Sequence, residues 1–129
     1  MAVSDDMIHW KRFGKDPVLE HGSKGITGDA FIQKIGDVWV MFYFGNKWNS
    51  RKGDKTAWNT FACSYDLIHW TDWTGPDLVR PTDKDYDARY AHKSCVIKWN
   101  GVVYHFYCAV DKNYRRGIAV ATSKDLSAE

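Results

Sequence analysis

The chain repeats itself. Ala2-Val3-Ser4-Asp5-Asp6-Met7-Ile8-His9-Trp10 returns 60 residues later as Ala62-Cys63-Ser64-Tyr65-Asp66-Leu67-Ile68-His69-Trp70, and starts a third time as Ala121-Thr122-Ser123-Lys124-Asp125-Leu126 after a further 59. A second block lies between these copies: Gly36-Asp37-Val38-Trp39-Val40-Met41-Phe42-Tyr43 is answered by Asn100-Gly101-Val102-Val103-Tyr104-His105-Phe106-Tyr107 at an offset of 64. The difference between the offsets is a few residues of loop. Self-similarity at a fixed period marks an array of like units, each of which buries its faces only against neighbours.

Within each unit the pattern is that of short strands. Ala30 to Ile35 and Ser94 to Trp99 are rich in apolar and β-branched residues, then Gly-Asp or Asn-Gly supplies a two-residue turn, then Val38 to Phe44 and Val102 to Ala109 return. A third strand is predicted over Asn59 to Ser64 and Gly117 to Ser123, and a fourth around His69 to Trp73 after the Ser-x-Asp turn. Apolar runs are too short, and too often followed by Gly, Asn or Asp, to sustain a helical stripe. Four antiparallel strands in about 60 residues predict one blade of a β-propeller. The fold class is therefore all-β, with about two blade equivalents: residues 1–27 end a preceding blade and form a connector, 28–80 make the first full blade, and 81–129 make most of the next.

Two blades cannot close a ring of about four to eight. Either the chain is a piece of a longer protein or copies of it complete one another as a homo-oligomer, the Ile8 to Phe13 strand then serving as the missing fourth strand of a partner's last blade.

Composition narrows the partners. Aromatic residues make up 16% of the chain, suited to filling the widening space between outer strands. Charges are interspersed, the net charge is +2, and Arg115-Arg116 is as long as any run of consecutive basic residues gets, so nucleic acid is not the expected partner. No apolar stretch approaches the roughly 20 residues of a membrane helix, and the first ten residues lack a signal-peptide pattern. Cys63, Cys95 and Cys108 lack zinc or redox spacing and sit in strand-like runs, where they are expected as buried small hydrophobes without a disulfide framework.

The motifs resemble a known group. Ser-x-Asp-Leu-x-x-Trp after an Ala-x-Ser strand, preceded by Gly-x-x-Tyr-x-Phe-Tyr hairpins, is similar to the blades of the five-bladed propeller glycoside hydrolases, among them families 43, 32, 62, 68, 117 and 130. Pro17-Val18-Leu19-Glu20 resembles the inter-blade connector of family 130. Ala91-His92-Lys93-Ser94-Cys95-Val96-Ile97 and Arg116 to Ser123 resemble family 43 and its relatives. The resemblance implies an oligosaccharide substrate in a funnel at one end of the axis. It also implies three carboxylates from inner strands: an Asp as base or nucleophile, a Glu as acid, and a second Asp that tunes the acid. An oxocarbenium-like transition state needs one carboxylate ionised and another protonated at the leaving oxygen. Neither the Trp-x-x-Asp-Pro-Asn-Gly segment of family 32 nor a Glu-Gly-Pro or Glu-Cys acid segment is present, so the acid is expected in blades outside this sequence and the chain alone is expected to be weakly active.

Candidate residues are those that break the repeat, because both copies of a repeated residue cannot occupy one central site. Ser4, Ser64, Ser123, Asp6, Asp66, Asp125, His9 and His69 are therefore read as architectural, the short side chains bonding turn backbone and the His-Trp pairs packing on the outer strand. Aligning the innermost strands at offset 64 sets Gly28 against His92, Asp29 against Lys93 and Gly25 against Arg89. Charged residues there face the axis, where a water-filled pocket or a charge partner must support them. Asp29 is the candidate catalytic or orienting carboxylate, the competing reading being a salt bridge with Lys93 itself. Asp87, Arg89, His92 and Lys93 form the densest polar cluster, with Asp87 and His92 as catalytic candidates and Arg89 and Lys93 as donors to sugar hydroxyls or a uronate. An ordinary solvated loop is the alternative.

Asp111 is a further substrate-binding candidate, or else a turn residue. Trp48 and Trp58, in the loop from Gly45 to Trp58, are candidates for stacking on a sugar ring or for capping the blade. No cofactor is expected, and no metal site, since His92 and His105 lack carboxylates at metal-ligand spacing. A non-catalytic carbohydrate-binding propeller and a self-associating structural fragment stand as alternatives to the hydrolase.

Overall fold

Among the residues that the structure describes there are nine strands and no helix, so the chain is all-β. The structure, a computed structural model, describes residues 1–23, 25–46, 56–82 and 86–124. The strands in chain order are β1 (Ala2–Val3), β2 (Lys11–Arg12), β3 (Ile26–Ile35), β4 (Val38–Asn46), β5 (Ala57–Ser64), β6 (Thr71–Asp72), β7 (Tyr90–Trp99), β8 (Val102–Val110) and β9 (Arg116–Thr122). β3, β4, β5 and β6 pair in sequence order, as do β7, β8 and β9, and every one of these pairings is antiparallel. One parallel bridge, Ala57↔Tyr90, joins the two sets.

The repeat in sequence is a repeat in register. β1 pairs β2 through Ala2↔Arg12 and Val3↔Lys11, and β5 pairs β6 through Ala62↔Asp72 and Cys63↔Thr71, each residue displaced by 60. The two hairpins use the turns their residues dictate. Asn100 and Gly101 both have positive φ (48° and 80°), the type I′ pattern, whereas at Gly36-Asp37 only Gly36 does (61°), the type II′ pattern.

The Ser-x-Asp turns are superimposable in their bonding. Ser4 Oγ accepts from Met7 N at 2.9 Å and Asp6 Oδ1 accepts from His9 N at 2.7 Å, while Ser64 Oγ and Asp66 Oδ1 do the same for Leu67 N and His69 N at 2.9 and 2.8 Å. His9 and His69 do not pack on the outer strand as expected. Each is 86% exposed and places Nδ1 2.6 Å from Asp6 or Asp66, and this bond, with those from the turn amides, holds both carboxyls well below the usual range.

Packing follows the same period. Met41, Tyr43 and Ala62 form one buried cluster under Val18, Leu19 and Trp70; Ala91, Tyr107 and Ala109 form another under Val79, Ala119 and Ala121. Between the blades Phe42 meets His105 edge-on at 6.2 Å, Phe44 meets His92 edge-on at 5.2 Å, and Gln33 Nε2 donates to the Val96 carbonyl. Phe42 and Phe44 are both buried there, and burying such a ring contributes about 1.5–3 kcal/mol.

The cysteines lie on strands and are free, but they are not fully buried: Cys63 and Cys108 are half-buried and Cys95 is exposed. Cys95 pairs Phe106 on the second blade, where Ile97, Ile118 and Val120 are also exposed, so no sheet among the described residues covers that region.

Candidate functional site

The polar residues that break the repeat gather at one end of the strands: the start of β3, the start of β7, the end of β8 and the start of β9. Two bulges build it. β3 and β4 are in register at Gly28↔Phe44 and again at Phe31↔Phe42, with Asp29 and Ala30 between; β7 and β8 do the same at His92↔Cys108 and Cys95↔Phe106, with Lys93 and Ser94 between. Asp29 and Lys93 each adopt a left-handed backbone, with φ of 51° and 63°. For residues with a Cβ this conformation costs about 1–2 kcal/mol, and such outliers cluster at functional sites. The bulges turn the two side chains toward each other, and Lys93 Nζ donates to Asp29 Oδ2 at 3.0 Å. Both remain about half exposed, at 46% for Asp29 and 53% for Lys93, so the pair is open to solvent and is worth no more than about 1 kcal/mol.

His92 stands beside this pair with a fixed tautomer. Its Nδ1 is 3.0 Å from the Cys108 carbonyl oxygen, which can only accept, so Nδ1 carries the hydrogen and Nε2 a lone pair. Burial between Phe44 and Tyr90 pushes the imidazole down from its ordinary value, the Cys108 carbonyl opposes this, and the charges of Lys93 and Asp29 act in opposite directions. At neutral pH the ring is uncharged. Asp29, His92 and Lys93 thus present an anionic acceptor, a neutral acceptor and a cationic donor within one neighbourhood.

The rest of the expected cluster is employed differently. Asp87 is 1% exposed rather than in an open loop: Tyr107 Oη donates to its Oδ2 at 2.9 Å and Thr82 Oγ1 to its Oδ1 at 2.5 Å. A buried carboxylate needs such donors, and they hold it inside the blade. Asp111 is 3% exposed and ties its own turn, accepting from Asn113 N, Arg115 N and Arg115 Nε. Burial alone raises its carboxyl, but the side-chain and backbone bonds from Arg115 and Asn113 outweigh this and lower it. Arg89 lays its guanidinium 4.2 Å from the Tyr114 ring centroid. Trp58 is not a loop residue: it lies in β5, 1% exposed, with the Arg80 guanidinium 5.3 Å from its ring centroid. A strand position inside the sheet removes its face from any ligand. Trp48 lies outside the described residues. Among those that are described, no group of three or more His, Cys, Asp or Glu is placed to hold a metal ion.

Sequence reasoning passed over Arg116. It opens β9 opposite Val110, lines a cavity of about 430 Å³ with Tyr86, Asp111 and Arg115, and its charge reaches His92. The signal was present, because Ala57 holds the corresponding register position in the first blade, opposite Asn46.

No family model and no curated protein matches the chain. Solved structures do. A structure described as a complex of BT0996 with RGII is 59% identical with a TM-score of 0.90, covering 97% of this chain and 35% of that one. A structure described as a glycoside hydrolase gives the same values. Fructan 1-exohydrolase IIa from Cichorium intybus shares the fold at 23% identity and a TM-score of 0.58, over 78% of this chain and 18% of that one. The structural neighbours are glycoside hydrolases, and the chain spans about a third of the length of the first two.

Proposed function

We propose that this chain, whose structural neighbours are glycoside hydrolases, supplies the sugar-holding wall of a glycosidase propeller, and that Asp29, His92 and Lys93 are the residues that touch the sugar. The observation that carries this reading is the pair of left-handed bulges that hold Asp29 and Lys93 at 3.0 Å while leaving both half exposed. A vicinal diol matches the set: one hydroxyl donates to Asp29 Oδ1 and accepts from Lys93 Nζ, and its neighbour donates to His92 Nε2. The substrate class is an oligosaccharide of the RGII kind, a choice supported by the 59% identity to the structure described with that partner.

Hydrolysis by paired carboxylates needs a second, protonated carboxyl at the leaving oxygen. Of Asp29, Asp87 and Asp111 only Asp29 is exposed. Our reading assigns the acid to another segment of the propeller, and residues 1–129 alone are expected to bind the sugar and turn it over weakly. Calorimetric titration with an RGII-derived oligosaccharide tests this: wild type binds, and Asp29→Asn weakens binding about tenfold or more, as loss of a charge-assisted hydrogen bond requires. Equal affinity in the two proteins would remove Asp29 from the site.

A non-catalytic binding role is the second reading, favoured by the burial of Asp87 under Tyr107 and Thr82, which leaves Asp29 without a partner carboxylate from the expected cluster. Sugar binding with no release of product separates it from the first.

A further inference from the structure

We propose that His105 is a positioning residue for the sugar site: buried between the blades, it bonds to Ser94 in one bulge and packs against Phe42 at the end of the other, and so fixes how Lys93 meets Asp29. This inference rests on the reading of Asp29, His92 and Lys93 as the residues that touch the sugar. His105 lies in β8, 7% exposed, and pairs with Val96 of β7. Its Nε2 is 3.0 Å from Ser94 Oγ, and Ser94, also buried, is the residue next to Lys93 in the second bulge. The ring meets Phe42 edge-on at 6.2 Å, and Phe42 pairs with Phe31, the residue at which the register resumes after the first bulge. Gln33 of β3 donates to the carbonyl of Val96, so the first blade is also bonded to β7 at the residue opposite His105.

The first blade shows that the fold does not require this arrangement. At offset 64 Met41 stands for His105 and Ala30 for Ser94, and the bulge at Asp29 and Ala30 forms all the same, with the same left-handed backbone. Met41 there packs with Tyr43 and Ala62 as an ordinary core residue. The second blade replaces the apolar pair with an imidazole and a hydroxyl, groups that cost free energy to bury unless they bond, and they bond to each other. Burial lowers the imidazole's pKa to about 4, so near neutrality the ring carries no charge. Positions that depart from the locally favoured choice cluster at functional sites.

What the polar pair adds is direction. A methionine fills space through several rotatable bonds and adapts to it, whereas a hydrogen bond restrains both the distance and the angle between its partners. Lys93 needs such a restraint, because a left-handed backbone persists only where the surroundings over-determine it. Its side chain is half exposed and must keep Nζ 3.0 Å from an Asp29 carried on the other blade. A sugar hydroxyl shared between Asp29 and Lys93 reads that distance, and a site of this kind is held to its geometry by the bonds of the residues behind it.

Calorimetric titration with an RGII-derived oligosaccharide near neutral pH tests it. Lys93→Ala is expected to weaken binding about tenfold and His105→Met, which installs the residue used at the same place in the first blade, about fivefold, while His105→Gln, whose amide nitrogen can reach Ser94 as Nε2 does, stays within about twofold of wild type. In the Lys93→Ala background His105→Met is expected to cost nothing more, because the group it positions is gone. Equal affinity in wild type and His105→Met, the same loss in His105→Gln as in His105→Met, or losses that add in the double variant would overturn the role of His105 and leave the site standing. Full affinity in Lys93→Ala would instead remove Lys93 from the sugar site, and the role of His105 with it.

Discussion

A residue's role in this chain is set by what lies across the sheet from it rather than by its sequence neighbours. Asp29 and Asp87 look alike in sequence, each an acid just before or within an inner strand, yet one is open to solvent and the other is sealed beneath Tyr107 and Thr82. Tyr107→Phe leaves a buried carboxylate short of a donor and is expected to cost about 1–3 kcal/mol in urea denaturation. The contrast was invisible in the sequence, because Tyr107 comes twenty residues after Asp87 and Thr82 five before it, and neither spacing is a motif.

His105 gives a second test. Its burial against Phe42 lowers its pKa to about 4, whereas in the unfolded chain it titrates near 6.5. The unfolded state therefore binds more protons between these values, so stability is full above about pH 6.5 and falls as pH drops toward 4. His105→Met, which restores the residue used at the same place in the first blade, is expected to flatten that part of the pH–stability profile. An unchanged slope would assign the titration elsewhere.

At the level of elements the sequence was largely legible. The Asn-Gly and Gly-Asp dipeptides fixed both hairpins, and the offsets of 60 and 64 located the paired strands, because strand registers in a repeat must copy one another. The bulges were not legible: a left-handed position announces itself when glycine occupies it, and here Asp29 and Lys93 do. That mismatch yields a prediction with two signs. Lys93→Gly relieves the backbone, so stability should be unchanged or rise by about 1 kcal/mol, while sugar affinity falls. A residue kept only for structure would lose stability instead. Loop-borne Trp58 proved to be strand because Ala57 and Trp58 pair with Asn46 and Gly45, extending the sheet beyond the polar run that suggested its end.

For the whole molecule, the consequence of a 60-residue period is that faces come in matched sets, each built to pack against its neighbour. The second blade leaves Ile97, Ile118 and Val120 exposed on one side, and the first two strands stand as a separate ribbon with Trp10 outward. The same geometry sets the starts of β3 and β7 side by side, and so brings Asp29 and His92, 63 residues apart, into one neighbourhood. The most direct test is to titrate isotope-labelled protein with an RGII-derived oligosaccharide and follow the backbone amides by NMR. The expected result is shifts concentrated at residues 28–30 and 92–94, absent in Asp29→Asn. Shifts confined to the opposite ends of the hairpins, around Gly36 and Gly101, would contradict the assignment of the site.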